Sequence, residues 1–296
     1  MIDLHTHSTA SDGIYSPSDL VKLAASKGIG VLALTDHDST SGLLEAQEEA
    51  KRQGIVFVPG IEVTITWPVG EFHLLGLGLT HTSRELGRVI EKIRRERVFR
   101  NKKMIEKLAD FGIHLSYDEM LEKFGSENIG RPHFAQLMVE KGYVQSRQAA
   151  FDRFFAVGRP CYVGRDGADL YDAVEAIKSS GGVPVQAHPL SIYVSWGKIE
   201  ETMEGIKDSG VMGLEAWHPA VRVSEAERLV ELGKKMGLVV TGGSDFHGEK
   251  VRADRRLGFS AGKLKVPENL WYGELKPLLE KVHGGDSLEY RAEEQK

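Results

Sequence analysis

One cysteine, Cys161, occurs in 296 residues, so no disulfide can form within the chain. No set of thiolates exists to hold an iron–sulfur cluster or a structural zinc ion, and this fits a reducing compartment. Long apolar runs are also missing. Nothing approaches the ~18 residues that a membrane span requires, and Met1-Ile2-Asp3-Leu4-His5 enters patterned sequence without a charged-then-apolar leader. The expectation is a cytoplasmic protein with no membrane partner and no obligate protein partner. Surplus positive charge is absent too, since the formal net charge is -5, which argues against a general nucleic-acid coat. That total hides an asymmetry: residues 81–160 carry 16 Lys+Arg against 11 Asp+Glu, and the rest of the chain 22 against 32. Internal repeats and low-complexity tracts are not seen.

What is present suits a globular fold, with 41% hydrophobic and 27% charged residues. The length fits one α/β barrel of roughly 250 residues plus an insertion, or two ordinary domains. Short β-branched runs alternate with stretches of helical period: Ile2 to Leu4, Val31 to Thr35, Ile55 to Val58, Phe72 to Leu79, Val183 to Ala187, Leu214 to Trp217 and Leu238 to Thr241. Seven strands separated by helices imply parallel pairing, as in a barrel or a doubly wound sheet. Ser16-Pro17-Ser18-Asp19 opens a helix that Gly28 stops, and Ser224 to Met236 runs into Gly237. Between Leu79 and about Pro160 only helical periodicity is found, and Ser116 with Glu119 forms a capping box there. The expected organisation is a discontinuous barrel over 1–80 and 161–283, an all-helical insertion over 81–160, and a flexible tail over 284–296.

Chemistry-bearing residues cluster where these strands end. His5 and His7 close the first strand, with Asp12 on the loop beyond. Asp36-His37 follow the second, Glu62 the third, His188 the fifth, Glu215 and His218 the sixth, and Asp245 and His247 the seventh, while His73 lies within the fourth. In a parallel barrel the strand C-termini open on one face, so groups scattered over the chain would converge there. Imidazoles and carboxylates without thiolates suit Mn²⁺, Fe²⁺ or Zn²⁺. Candidate ligands in this number exceed the needs of one ion and imply two or three. His81, His114 and His283 lack this placement and are read as ordinary histidines.

His5-Thr6-His7 with Asp12, Thr35-Asp36-His37-Asp38, Pro59-Gly60-Ile61-Glu62, His73, Ala187-His188-Pro189 and Gly243-Ser244-Asp245-Phe246-His247 resemble the successive motifs of the PHP (polymerase and histidinol phosphatase) family. The resemblance covers nearly the whole chain. It implies a distorted seven-stranded (β/α)7 TIM-like barrel and a trinuclear metal centre. By motif, His5, His7, Glu62 and Asp245 would hold one ion, Glu62, His73 and His188 a second, and Asp12, His37 and His247 a third. Gly130-Arg131-Pro132-His133-Phe134-Ala135, Ala150-Phe151 to Gly158 and Tyr162-Val163 resemble the insertion of the stand-alone phosphoesterase branch, which includes nucleoside 3',5'-bisphosphate phosphatases and short-RNA 5'-exonucleases. In that branch the insertion caps the barrel mouth, which makes Arg131 and His133 candidates for gripping substrate phosphate.

The function implied is metal-dependent hydrolysis of a small phosphorylated nucleotide or a short oligonucleotide. Asp12, His37 and His218 are candidate catalytic residues, with His218 a phosphate ligand, a general acid or a merely structural histidine. Three divalent ions would bring +6 against -3 from Asp12, Glu62 and Asp245, a surplus that favours an anionic substrate over a neutral amide. The alternatives are a histidinol-phosphate-type small-molecule phosphatase and a non-catalytic, metal-stabilised PHP module. The second would normally have lost ligands, and none of the nine is missing. The basic run Lys92, Arg94, Arg95, Arg97, Arg100, Lys102 and Lys103 is either a solvated helix face or a track for oligonucleotide phosphates.

Overall fold

The computed structural model describes residues 1–124, 129–164, 167–285 and 288–291. It divides into two compact units, one of Met1–Ile90 with Ala168–Lys296 and one of Glu91–Gly167.

The first unit is built on seven strands in chain order, β1 (Ile2–Asp3), β2 (Val31–Leu34), β3 (Val56–Ile65), β4 (Phe72–Leu77), β5 (Val183–Gln186), β6 (Gly213–Trp217) and β7 (Val239–Gly242). Bonds beyond the strand ends bring β7 back to β1, from the His7 N–H to the Phe246 carbonyl at 2.9 Å and from the Asp245 N–H to the His5 carbonyl at 2.9 Å. The sheet is thus a nearly closed barrel. The short strands are apolar throughout because both faces are covered, as in Val31–Leu34, where every residue is buried.

One expectation fails. Not all strands are parallel: β4 pairs antiparallel with both β3 and β5. The link between β3 and β4 spans only residues 66–71, too short for the crossover that parallel pairing needs, so the chain must turn back. This reversal explains why His73 sits at the start of its strand while other candidates sit at the ends of theirs. Antiparallel register puts His73 opposite Thr64, at the same barrel end as the C-terminus of β3.

The helices end where local chemistry dictates. Ser16 Oγ accepts the Asp19 N–H at 3.1 Å to start α1 (Pro17–Ser26). Between the next strands lies α2 (Leu43–Gln53). The remaining helices, in chain order, are α3 (Arg84–Ala109), α4 (Tyr117–Phe124), α5 (Arg131–Glu140), α6 (Arg147–Ala150), α7 (Leu170–Ser179), α8 (Ile199–Asp208), α9 (Val223–Met236) and α10 (Lys276–Val282). Gly237 ends α9 with φ 67°, a left-handed conformation that a Cβ would penalise.

Residues 288–291 depart from the expected free tail. Tyr290 is buried: its N–H donates to Gln47 Oε1 at 2.7 Å, its carbonyl accepts from Gln47 Nε2 at 3.0 Å, and its hydroxyl meets Thr82 at 2.6 Å. The polar sequence around it gave no sign that one aromatic would find such partners. Residues 292–296 lie outside the described ones.

The second unit has its own core, formed by Met104, Leu108, Met120, Phe134, Leu137, Met138, Phe154 and Phe155 with Cys161. Full burial of each large side chain contributes roughly 1.5–3 kcal/mol. The unit includes α4, whose first turn is capped by Ser116 Oγ accepting from the Glu119 N–H at 3.0 Å, then α5, α6 and a π-helical turn, Phe151–Phe155. Burial pushes the Cys161 thiol up from its ordinary value, which makes it a packing residue rather than a nucleophile. Among the described residues no helix is long and apolar enough to cross a membrane.

Candidate metal centre

Glu62 lies inside β3, fully buried, and five imidazoles face it. Its Oε2 is 3.2 Å from His5 Nε2, 3.3 Å from His7 Nε2 and 3.1 Å from His37 Nδ1. Its Oε1 is 3.0 Å from His73 Nδ1 and 3.0 Å from His188 Nε2. Each oxygen therefore addresses a different set of nitrogens, as a carboxylate shared between two cations does. His5 Nε2, both His7 ring nitrogens and Glu62 Oε2 are buried without a hydrogen bond. Buried polar atoms this close and yet misaligned for hydrogen bonding fit lone pairs aimed at a common cation.

The second-row contacts fix which nitrogen each ring turns inward. His5 Nδ1 meets Glu215 Oε1 at 3.0 Å, and because the carboxylate can only accept, Nδ1 carries the proton and Nε2 keeps its lone pair. His188 Nδ1 donates to Ser191 Oγ at 2.8 Å, since that hydroxyl spends its own proton on the Glu71 carbonyl at 2.6 Å. His247 Nδ1 donates to the Asp245 carbonyl at 3.0 Å, leaving Nε2 to face Asp12 Oδ1 at 3.2 Å. His218 differs. Its Nδ1 accepts the Ala220 N–H at 3.2 Å, so its Nε2 donates to Asp245 Oδ2 at 3.3 Å and offers no lone pair to a cation.

Asp245 turns its other oxygen, Oδ1, toward His7 Nε2 at 3.4 Å and His5 Nε2 at 3.7 Å. The backbone is strained at Asp245 (φ 51°) and at His188 (φ 28°), two of the few non-glycine residues with positive φ, and such strain gathers where geometry serves function. Gly243 is required beside them: a Cβ there would lie 2.3 Å from His5 Cβ. Three groups of donors come within 4.8 Å of one another: His5, His7, Glu62 and Asp245; His7, Asp12, His37 and His247; and His37, Glu62 and His73. His188 joins them through its Glu62 contact. The structure thus gathers all nine residues named from sequence at one end of the barrel, and their chemistry fits borderline divalent ions.

Electrostatics agree with a site made for cations. Burial alone would raise the Glu62 and Asp245 carboxyls, but the surrounding histidines hold both well below the usual range. Asp12 is lowered in the same way against burial, chiefly by His247 and His37. Burial pushes the His7 imidazole down, yet Asp245 and Glu62 outweigh it and lift it to about 10. Burial wins at His37, pushed down to about 4.

Two residues here were not assigned a role from sequence. Glu215 lies within β6, orients His5, and accepts the His188 N–H at 2.8 Å. Arg255 is buried with its Nε 3.7 Å from Asp245 Oδ2, and no sequence pattern marks it. In the second unit, Arg131 heads α5, donates from Nη2 to the Val163 carbonyl at 2.5 Å and stacks on Tyr162. His133 Nδ1 accepts the Gly130 N–H at 3.0 Å and its ring meets Phe124.

The chain matches the model of the PHP domain over residues 3–158. It is 34% identical over 247 residues to a 3',5'-nucleoside bisphosphate phosphatase from Chromobacterium violaceum, covering 83% of this chain and 87% of that protein. It is 32% identical over 248 residues to a 5'-3' exoribonuclease from Haemophilus influenzae, covering 83% and 89%. Among solved structures, an amidohydrolase from Chromobacterium violaceum with bound sulfate and no metal superimposes with a TM-score of 0.80 at 32% identity, over 95% of this chain and 96% of that one. With the motifs, the barrel and these matches in agreement, the chain belongs to the PHP domain family.

Proposed function

We propose that this protein is a metal-dependent phosphoesterase that releases phosphate or nucleotide from nucleoside 3',5'-bisphosphates, from 5'-phosphorylated short oligonucleotides, or from both. The observation that carries the reading is the ring of five imidazoles around Glu62, flanked by Asp245 and Asp12. The names of the two relatives supply the nucleotide class of substrate.

The centre is read as holding three divalent ions of the Mn²⁺, Fe²⁺ or Zn²⁺ kind. His5, His7, Glu62 and Asp245 would hold one, Glu62, His73 and His188 the second, and Asp12, His37 and His247 the third. When bound, such ions supply an activated water and neutralise phosphoryl oxygens. The protein's own part is orientation. Glu215, Ser191 and the Asp245 carbonyl turn the lone pairs of His5, His188 and His247 inward before any ion arrives, which lowers the reorganisation cost of binding. Counting Glu215 with Asp12, Glu62 and Asp245 still leaves the three-ion centre net positive, and it therefore favours an anionic substrate.

His218 donates to Asp245 and accepts from Ala220, which fits a positioning role better than the alternatives of phosphate ligand or general acid. Arg131 and His133 remain proposed contacts to a second phosphate. Removing Arg131 should cost about 2–4 kcal/mol of transition-state stabilisation on a two-phosphate substrate if a desolvated charge pair is lost, or roughly 30- to 1000-fold in kcat/KM. The loss should nearly vanish on a monoester; equal losses on both would assign Arg131 to the fold of its own unit, through Val163.

The deciding experiment measures phosphate and nucleotide release from pAp and from 5'-phosphorylated short RNA, against histidinol phosphate, with pure protein in Mn²⁺. Preference for histidinol phosphate would replace the nucleotide reading, and no hydrolysis with metals fully loaded would leave a non-catalytic module.

A further inference from the structure

Beyond β7 the chain leaves β1 at Ser244, passes the metal centre at Asp245 and His247, and returns to β1 at Gly258. Asp3 clamps the two ends of this excursion: its carboxylate accepts the Ser244 N–H at 2.9 Å, the Ser244 hydroxyl at 2.6 Å and the Gly258 N–H at 2.7 Å. Within it the Arg252 N–H bonds to the Gly248 carbonyl and the Arg255 N–H to the Arg252 carbonyl, both at 3.0 Å. Arg255 therefore projects from a fixed mount.

Its side chain is only 5% exposed, and Nε forms no hydrogen bond. Two carboxylate oxygens are near, Asp254 Oδ2 at 3.6 Å and Asp245 Oδ2 at 3.7 Å, and both lie beyond hydrogen-bonding distance. Each is committed elsewhere. Asp254 pairs with Arg252 at 3.3 and 3.4 Å, while Asp245 accepts from His218 through Oδ2 and faces His5 and His7 through Oδ1.

A buried Nε–H with no acceptor is costly. Arginine's long stem could carry the charge out to water at small cost; ion pairs with Asp254 and Asp245 hold it inside instead, and they leave its Nε hydrogen bond to be made by another oxygen acceptor. The planar fork of a guanidinium bonds two oxygens of one phosphate at once. Asp245 is a candidate metal ligand, so a phosphoryl group beside it would touch both a cation and Arg255.

We propose that Arg255 binds the phosphoryl group undergoing hydrolysis, at the edge of the metal centre next to Asp245. The assignment rests on the phosphoesterase reading above and adds a contact that the family motifs do not contain. It separates two arginines by task, Arg255 on the scissile phosphate and Arg131 on a second one.

The test uses inorganic phosphate as the probe and needs no turnover. Phosphate binding to the Mn²⁺-loaded protein is titrated for wild type, Arg255→Gln and Arg255→Lys, with metal content measured on the same samples. The expected result is unchanged metal content and at least tenfold weaker phosphate binding in Arg255→Gln, with partial recovery in Arg255→Lys, which keeps the charge and loses the fork. In hydrolysis assays kcat/KM should then fall by a similar factor on pAp and on a monoester. Reduced metal content with normal phosphate affinity per loaded site would overturn the proposal and make Arg255 a support for Asp245. A loss confined to two-phosphate substrates would also overturn it, by placing Arg255 at the second phosphate. If phosphate binding weakens as expected but no nucleotide is hydrolysed, the anion site stands and the nucleotide reading fails.

Discussion

Glu62 illustrates how much one side chain can decide. Its two oxygens face separate groups of imidazoles, so Glu62→Gln should lower metal loading at two sites together, and elemental analysis showing loss of one ion alone would contradict a shared carboxylate. Glu215 acts one step further out. Glu215→Gln leaves no acceptor of full charge for His5 Nδ1 and should weaken metal affinity about 10- to 100-fold, read by metal titration rather than by turnover. His7 contributes to the pH dependence together with His5 and His73, which nearby carboxylates also raise against burial. Its value of about 10 lies above the ordinary 6.5, so the metal-free fold gains from this proton below pH 6.5 and loses that gain as pH rises toward 10. A divalent ion must displace the same proton, so His7 by itself should make affinity climb by up to about tenfold per pH unit over this window. The rise in Tm on adding Mn²⁺ should then be larger at pH 8.5 than at pH 6.5, and equal shifts at both would show that His7 is already neutral.

At the scale of elements, two segments are informative. The Gly243-to-His247 segment after β7 passes so close to His5 that Gly243→Ala should destabilise by roughly 1–3 kcal/mol through overpacking, seen as a lower Tm with the metal-free protein affected as well. The other segment is α3. Arg94 and Arg95 share Glu91 at 2.8 and 2.7 Å and Arg100 is buried, so the basic run is less available than its sequence suggests. Lys92, Arg95, Phe99, Lys102 and Lys103 nevertheless fall within one arc of about 100° at 100° per residue, with Phe99 60% exposed and Lys103 Nζ 4.3 Å from its ring centroid. If oligonucleotides are substrates, removing Lys92, Lys102 and Lys103 should flatten the salt dependence of kcat/KM for RNA of several nucleotides while sparing pAp. An equal response from both would reduce the run to a solvated face.

For the whole molecule, the expected stoichiometry is above two ions per chain after Mn²⁺ resupply, and a value of one or less would end the three-ion reading. Because the donors come from β3, β4 and the segments following β1, β2, β5 and β7, cations bind the closed barrel far better than the unfolded chain. Loading should therefore raise Tm, as a ligand specific for the native state does, and chelation should reverse it.

The sequence by itself determined the set of candidate donors and the barrel. Motifs such as His5-Thr6-His7 and Gly243-Ser244-Asp245-Phe246-His247 place donors beside apolar runs whose alternation with helices leaves few topologies open. Only the tertiary structure decided the reversal of β4, because a run such as Phe72–Leu77 reads the same in either direction and the turn that reverses it is a matter of link length. It also decided the inward tautomers, the work of Glu215, the anchoring of Tyr290 and the burial of Arg255. Most of these depend on partners far away in sequence, the His5 tautomer on Glu215, Tyr290 on Gln47 and Arg255 on the clamp that Asp3 places across 255 residues of chain, and no local pattern can record where a distant carboxylate will be.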